Sequence, residues 1–282
     1  MTVTDSNIEQ NNSSPLGVGG KAGALYVIKI GGNIIDDENK LSSFLKSFAA
    51  IEGKKILVHG GGKLATGLAA QLGIEQRMVD GRRITDAETL KIVTMVYAGY
   101  INKSIVAHLQ ANNCNAIGLS GADGNLVRAH KRNHPTIDYG FVGDVDSVNS
   151  ALLQNLLDNN MTVVAAPITQ DGKGQLLNTN ADTIAQEIAK SLGKIYKVQL
   201  IYSFEKKGVL LDLNDAHSVI PKINSNYYTE LKAKQLIFAG MIPKLDNAFA
   251  ALQNGVHEVV IGNAEELDRI IAGQAGTTIK NE

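Results

Sequence analysis

The runs LYVIKI (25–30) and KILVH (55–59) are apolar almost throughout, and each stops at a group of glycines. Between them lies a helix-length segment, from about Glu38 to Ala50. A strand covered on both faces reads as a near-continuous apolar run, whereas one with a wet face alternates. Parallel neighbours need a long crossover, most often a helix. Further apolar runs at 162–168, 197–202 and 257–262 alternate with amphipathic segments, and 115–132 reads as strand, glycine turn, strand. This order predicts an α/β chain, a three-layer αβα sandwich with a mostly parallel central sheet. No repeat and no proline- or serine-rich linker interrupts it, so one continuous sheet is expected, with two functional halves meeting near residues 170–180.

The charge balance narrows the partners. Lysine and arginine number 27 against 28 acids in 282 residues, so no net field draws the chain to nucleic acid or to a membrane surface. No apolar stretch approaches the roughly 20 residues that span a bilayer. The single cysteine, Cys114, excludes an internal disulfide framework and fits a cytoplasmic protein. Residues 1–24 are polar and glycine-rich and are expected to form a flexible tail.

Ligands of parallel sheets collect at the carboxyl ends of the strands, and the glycine turns after Ile30, His59 and Ser120 lie there. The stretch LVHGGGKLATGL (57–68) is not a P-loop. Leu57 stands where that pattern needs its first glycine, and Leu64 follows Lys63 where it needs a hydroxyl. Its clustered amides, with a helix start behind them, still form an anion site. Lys29 sits inside the first apolar run, where it either faces solvent from an edge strand or meets an anion. In QLLNTNADTIAQEIA (175–189), Asn180 is a helix cap and Asp182 favours the positive helix end, which leaves Asn178 unexplained. In FAGMIPKLDNAFAAL (238–252) a turn delivers Lys244 to the first turn of a helix, against the helix dipole and toward an anion. A long helix is expected from about Asp86 to Gln110, capped by Thr85 with Glu88 completing a capping box. His130 and His134 stand four apart but lack a nearby cysteine or acid, and read as surface residues rather than a metal site.

Taken in order, KIGG (29–32), HGGG (59–62), DGRRITDAETL (80–90), GLSGADGNL (118–126), NTNAD (178–182) and GMIPK (240–244) resemble the amino acid kinase family, over about residues 25–265. Within that family the set is similar to the members that phosphorylate N-acetylglutamate in arginine biosynthesis. The resemblance implies a sheet of about eight strands, an acylglutamate-binding and dimerisation half (25–176), and an ATP-binding half (177–282). It implies ATP with Mg2+ carried on the nucleotide and no metal held by the protein. It implies a homodimer or a hexamer of dimers, and the poor helix material of residues 1–24 points to the dimer, insensitive to arginine. Carried over by residue, Lys29 and Lys244 flank the γ-phosphoryl group with Asp182 between them, accepting from both. Gly61 and Gly62 line the substrate site, and Arg83 and Asn178 grip the α-carboxylate. Gly31, Gly32, Ser203, Lys207, Gly208 and Met241 are assigned to the nucleotide. The sequence departs from the family at SFEKKGVL (203–210), where Phe204 replaces an aspartate and the loop is one residue longer. Arg82 stands where the family has leucine or methionine. It either faces solvent or a partner subunit, or pairs with a second carboxylate on the acyl group, as succinyl supplies. Phosphorylation of N-succinylglutamate or of free glutamate, and a regulatory subunit without catalysis, are the alternatives. Retention of Lys29, Lys244 and Asp182 speaks against the last.

Overall fold

The computed structural model describes residues 23–281 except Asp80, Leu213, Ala216 and Phe238. The tail expected over 1–24 thus lies, up to residue 22, outside the described residues. The main sheet has eight strands: β1 (Ala24–Ile30), β2 (Lys54–His59), β5 (Ala116–Leu119), β8 (Thr162–Ala165), β11 (Lys197–Phe204), β12 (Lys222–Ile223), β13 (Glu258–Asn263) and β14 (Thr277–Ile279), in the order β12-β14-β13-β11-β1-β2-β8-β5. From β13 to β5 all neighbours are parallel, while β14 runs antiparallel to β13 and takes β12 with it. A hairpin, β3 (Met78–Val79) with β4 (Arg82–Arg83), and a sheet of β6 (Val127–Lys131), β7 (Gly143–Val148), β9 (Ile168–Gln170) and β10 (Leu176–Asn178) stand apart from it.

The helices are α1 (Gly32–Ile35), α2 (Glu38–Ala50), α3 (Gly62–Gln71), α4 (Ala87–Val93), α5 (Asn102–Ala111), α6 (Ser150–Asp158), α7 (Ala181–Leu192), α8 (Ser225–Ala233), α9 (Ile242–Gln253) and α10 (Leu267–Ile271). Side chains alternate between the faces of a strand, so each buried run feeds two cores. Leu25, Val27, Ile56, Val58 and Leu200 pack with Ile184 and Ile188 of α7 and with Leu245 and Phe249 of α9. Tyr26, Ile28, Ile30, Leu57 and Ile201 pack with Phe44, Leu45 and Phe48 of α2 and with Ile105 of α5. Residues on both faces are fully buried, which explains the missing alternation in the sequence.

Three expectations are corrected. The single continuous sheet is three sheets. The run 162–168 divides into β8 and β9, because Pro167 has no N–H for a ladder. The long helix is capped by Asp86, not Thr85. Asp86 Oδ1 accepts from Thr89 N at 2.7 Å, whereas the Thr85 hydroxyl donates to Arg83 O at 2.9 Å. Its middle, Thr94–Ile101, is π-helical and joins α4 to α5.

Candidate active site

Lys29 lies on β1, between β11 and β2, so the edge-strand alternative fails. Alternation puts it on the face of Leu25 and Val27, beneath α7 and α9. There Asp182, in the first turn of α7, pairs with it, Nζ to Oδ1 at 2.7 Å, with the lysine side chain only 18% exposed. Asn180 caps α7 and accepts from the amides of Asp182 and Thr183 at 2.8 and 3.1 Å, which fixes the turn that presents the carboxylate. Pro243, the second residue of α9, fits its first turn, which also carries Lys244. The Lys244 ammonium stands 4.3 Å from the centre of the Phe204 ring. Burial lowers its pKa from the ordinary lysine value, Asp182 opposes that shift, and the charge of Lys29 adds to it. Lys29, Asp182, Tyr202, Ser203, Phe204 and Lys244 line one cavity. The Ser203 hydroxyl is buried there without a hydrogen-bond partner among the described residues. Two cations converge on a space that holds one acid, an arrangement suited to an incoming anion.

A second cleft adjoins the first at the start of α7, where Ala181 lines one and Asp182 the other. Its walls include the glycine turn after β2, Arg82, Arg83, Tyr97 and Asn178. Gly61 has φ 143°, and a Cβ there would stand 2.2 Å from Ile101 Cδ1, so only glycine fits. The amides of Gly61 and Gly62 meet no acceptor among the described residues. Arg83 is buried and donates to Gly62 O at 3.0 Å, to Thr66 Oγ1 at 3.1 Å and to Gln76 Oε1. Those bonds use three of its five N–H donors and hold the guanidinium against the turn. Asn178 Nδ2 donates to Thr85 Oγ1 at 3.0 Å.

Two lysines beside unbonded glycine amides, next to a cleft walled by arginines, suit transfer of a phosphoryl group to an anionic acceptor. A profile of the amino acid kinase family matches residues 24–263. The chain belongs to the amino acid kinase family.

Two relatives of this amino acid kinase are named acetylglutamate kinase. The Phocaeicola vulgatus protein is 56% identical over 256 residues, covering 91% of this chain and 98% of its own length. The Cytophaga hutchinsonii protein is 58% identical over 248 residues, covering 88% and 94%. Carbamate kinase of Giardia, 16% identical, shares the fold with a TM-score of 0.66, covering 92% of this chain and 99% of its own.

In this amino acid kinase the residues expected at the site divide into four groups. Lys29, Asp182, Ser203 and Lys244 meet in one cavity, and Gly61, Gly62, Arg83 and Asn178 in the other. Asp182 is ion-paired with Lys29, while Lys244 rests on Phe204. Gly31 and Gly32 form the turn beside them, the Gly31 amide donating to Ser203 O at 3.2 Å. Lys207, Gly208 and Met241 line neither cavity. Lys207 is exposed, and Gly208 packs so closely on Thr277 that a Cβ would stand 2.6 Å from Oγ1, whereas Met241 packs on the core. Sequence reasoning missed Tyr97 and Tyr202, which line the two cavities, and Asn102, which bonds His59 behind the glycine turn; none of them carries a local signal. Phe204 had a signal, its departure from the family pattern, but its contact with Lys244 depends on a helix 40 residues away.

Proposed function

We propose that this amino acid kinase transfers the γ-phosphoryl group of ATP to the γ-carboxylate of N-acetyl-L-glutamate, giving N-acetylglutamyl 5-phosphate and ADP, a step of arginine biosynthesis. The observation that carries this reading is the meeting of the Lys29–Asp182 pair and Lys244 beside a glycine turn to which Arg83 is bonded. The names of relatives more than half identical support the same substrate. In the reaction a carboxylate oxygen bonds to the γ-phosphorus as the bond to the β,γ-bridging oxygen breaks. The leaving oxygen takes its electron pair to ADP. The attacking carboxylate is already ionised near neutral pH, so no base is required and Asp182 serves to hold Lys29 in place. Lys29 and Lys244 neutralise charge that spreads over the transferring group. The N–H donors that Arg83 retains, with Asn178, anchor the α-carboxylate.

Under this reading residues 25–176 form the acylglutamate and dimerisation half and 177–282 the ATP half. Mg2+ rides on the nucleotide, and the protein works as a cytoplasmic homodimer. The test is a hydroxamate assay with ATP and acetylglutamate, succinylglutamate or free glutamate. Phosphorylation of acetylglutamate is expected, and turnover of glutamate alone would overturn the reading. One observation favours a second acyl group. Arg82 lines the cleft, half-buried, and its side chain makes no hydrogen bond or ion pair among the described residues, although the Asp144 carboxylate acts on its charge. A dicarboxylic acyl chain such as succinyl would bring it a partner, and a higher kcat/KM with succinylglutamate, abolished in Arg82→Leu, is the result that would establish it.

A further inference from the structure

His59 closes β2 and precedes the three glycines, and it is completely buried. Its neighbours determine where its proton sits. Asn102 Nδ2 donates to Val164 O at 3.0 Å, while Asn102 Oδ1 accepts from Lys103 Nζ at 3.1 Å. A carbonyl only accepts and an ammonium only donates, so the Asn102 amide has one orientation. Its nitrogen therefore faces His59 Nε2, at 3.2 Å, and Nε2 must accept. That leaves the proton on Nδ1, which faces Gly60 O at 2.8 Å, an atom that can only accept. Both ends of the ring demand the same tautomer. The chain of bonds continues outward, since Lys103 Nζ also donates to Gly118 O at 2.6 Å. Gly118 itself belongs to the arrangement, because a Cβ there would stand 2.0 Å from Asn102 Oδ1.

The bond to Gly60 O has a consequence on the far side of the peptide. In a trans peptide the C=O and the following N–H point in opposite directions, and no peptide in the described residues is cis. With the Gly60 carbonyl drawn inward to the buried ring, the Gly61 N–H is turned away from it, toward the cleft that Gly61 lines. We infer that His59 is a positioning residue for phosphoryl transfer: its Nδ1–H holds the Gly60 carbonyl so that the Gly61 amide is aimed at the developing charge on the transferring group. The inference rests on the reaction proposed above. A backbone donor fixed before the reaction stabilises charge without reorganising, whereas a turn free to flip loses that benefit. The ring touches no reacting atom and acts through the peptide.

The full-length chain, labelled with ¹⁵N-histidine, reads the tautomer directly by long-range ¹H–¹⁵N correlation at pH 7, with His59 assigned by its loss in His59→Asn. The Nδ1–H form is expected. In Asn102→Asp a carboxylate oxygen replaces the donor, Nε2–H becomes the favoured form, and kcat is expected to fall by about tenfold or more while the KM for acetylglutamate changes little. Two amide replacements separate the ring positions. The shorter amide of His59→Asn reaches the place of Nδ1 and the longer amide of His59→Gln the place of Nε2, so His59→Asn should retain about ten times more kcat than His59→Gln. A wild-type Nε2–H tautomer overturns the inference, as does equal kcat in the two variants. If a variant does not fold, the wild-type tautomer still decides. Absence of acetylglutamate phosphorylation by the wild type would defeat the proposed reaction instead, and the tautomer would be read independently of it.

Discussion

Charge at single residues carries the largest expected effects. On the proposed reaction Lys29→Ala and Lys244→Ala each remove a cation from the cavity assigned to the phosphoryl group, and each should lower kcat by on the order of 10²-fold. The KM for the acyl substrate should move less, and near-normal kcat in steady-state assays would remove that lysine from the reaction. Arg83→Ala should instead raise the KM for acetylglutamate while leaving that for ATP nearly unchanged, because its bonds lie on the glycine-turn side. His59 makes a prediction about stability. Burial holds its folded pKa down to about 4, with the Lys103 charge acting the same way and the Gly60 bond opposing. An unfolded histidine titrates near 6.5, so the unfolded chain binds the extra proton between those values. The stability from a neutral His59 is therefore complete above about pH 6.5 and is lost as pH falls toward 4, with about 2 kcal/mol gone by pH 5. Urea unfolding at pH 7 and pH 5 should show that loss in the wild type and not in His59→Gln. At this scale the sequence was most legible where residues sit in short motifs: Lys29, Asp182, Gly61 and Arg83 all stood out. His59 stood in such a motif too, but its role depends on Asn102, 43 residues away, and no pattern links them.

Elements were legible where burial is two-sided and illegible where backbone geometry departs from the common types. The helix expected from Glu38 to Ala50 has those limits, since Asp37 caps it and one face is apolar. The π-helical turn at Thr94–Ile101 leaves no trace in composition. Its effect is to align Tyr97 and Asn102, which stand five apart. Five residues of α-helix rotate by about 500°, which leaves them about 140° out of phase, whereas an i to i+5 turn brings them to one side. Tyr97 thereby reaches the cleft while Asn102 reaches His59. The long helix thus supports the glycine turn from below. Gly118→Ala tests this support, since its methyl would press on Asn102 and Val106. Overpacking of this kind costs about 1–3 kcal/mol, to be read as a lower urea midpoint together with reduced kcat. A change in midpoint with full kcat would separate the helix from catalysis.

For the whole molecule, the run of buried strands was sufficient to set the layer order. Assembly was not legible in the same way, because a subunit contact needs only surface residues with no period. A dimer is expected in light scattering, without inhibition by arginine, and a hexamer would refute it. The position of β1 has a further bearing on how the chain is made. Ala24 to Ile30, the first strand among the described residues, is a central one, paired with β2 on one side and with Lys197 to Ser203 on the other. During synthesis from the amino end, β2, β5 and β8 emerge and can close one flank early, while the other flank of β1 waits for most of the chain. Until then β1 is an open apolar edge, the kind of surface on which nascent chains stick to one another. Lys29, on that strand, meets Asp182 only after the same wait, so the ribosome holds an enzyme whose chemistry is assembled late, and a stalled fragment would be an aggregation hazard long before it was a catalyst.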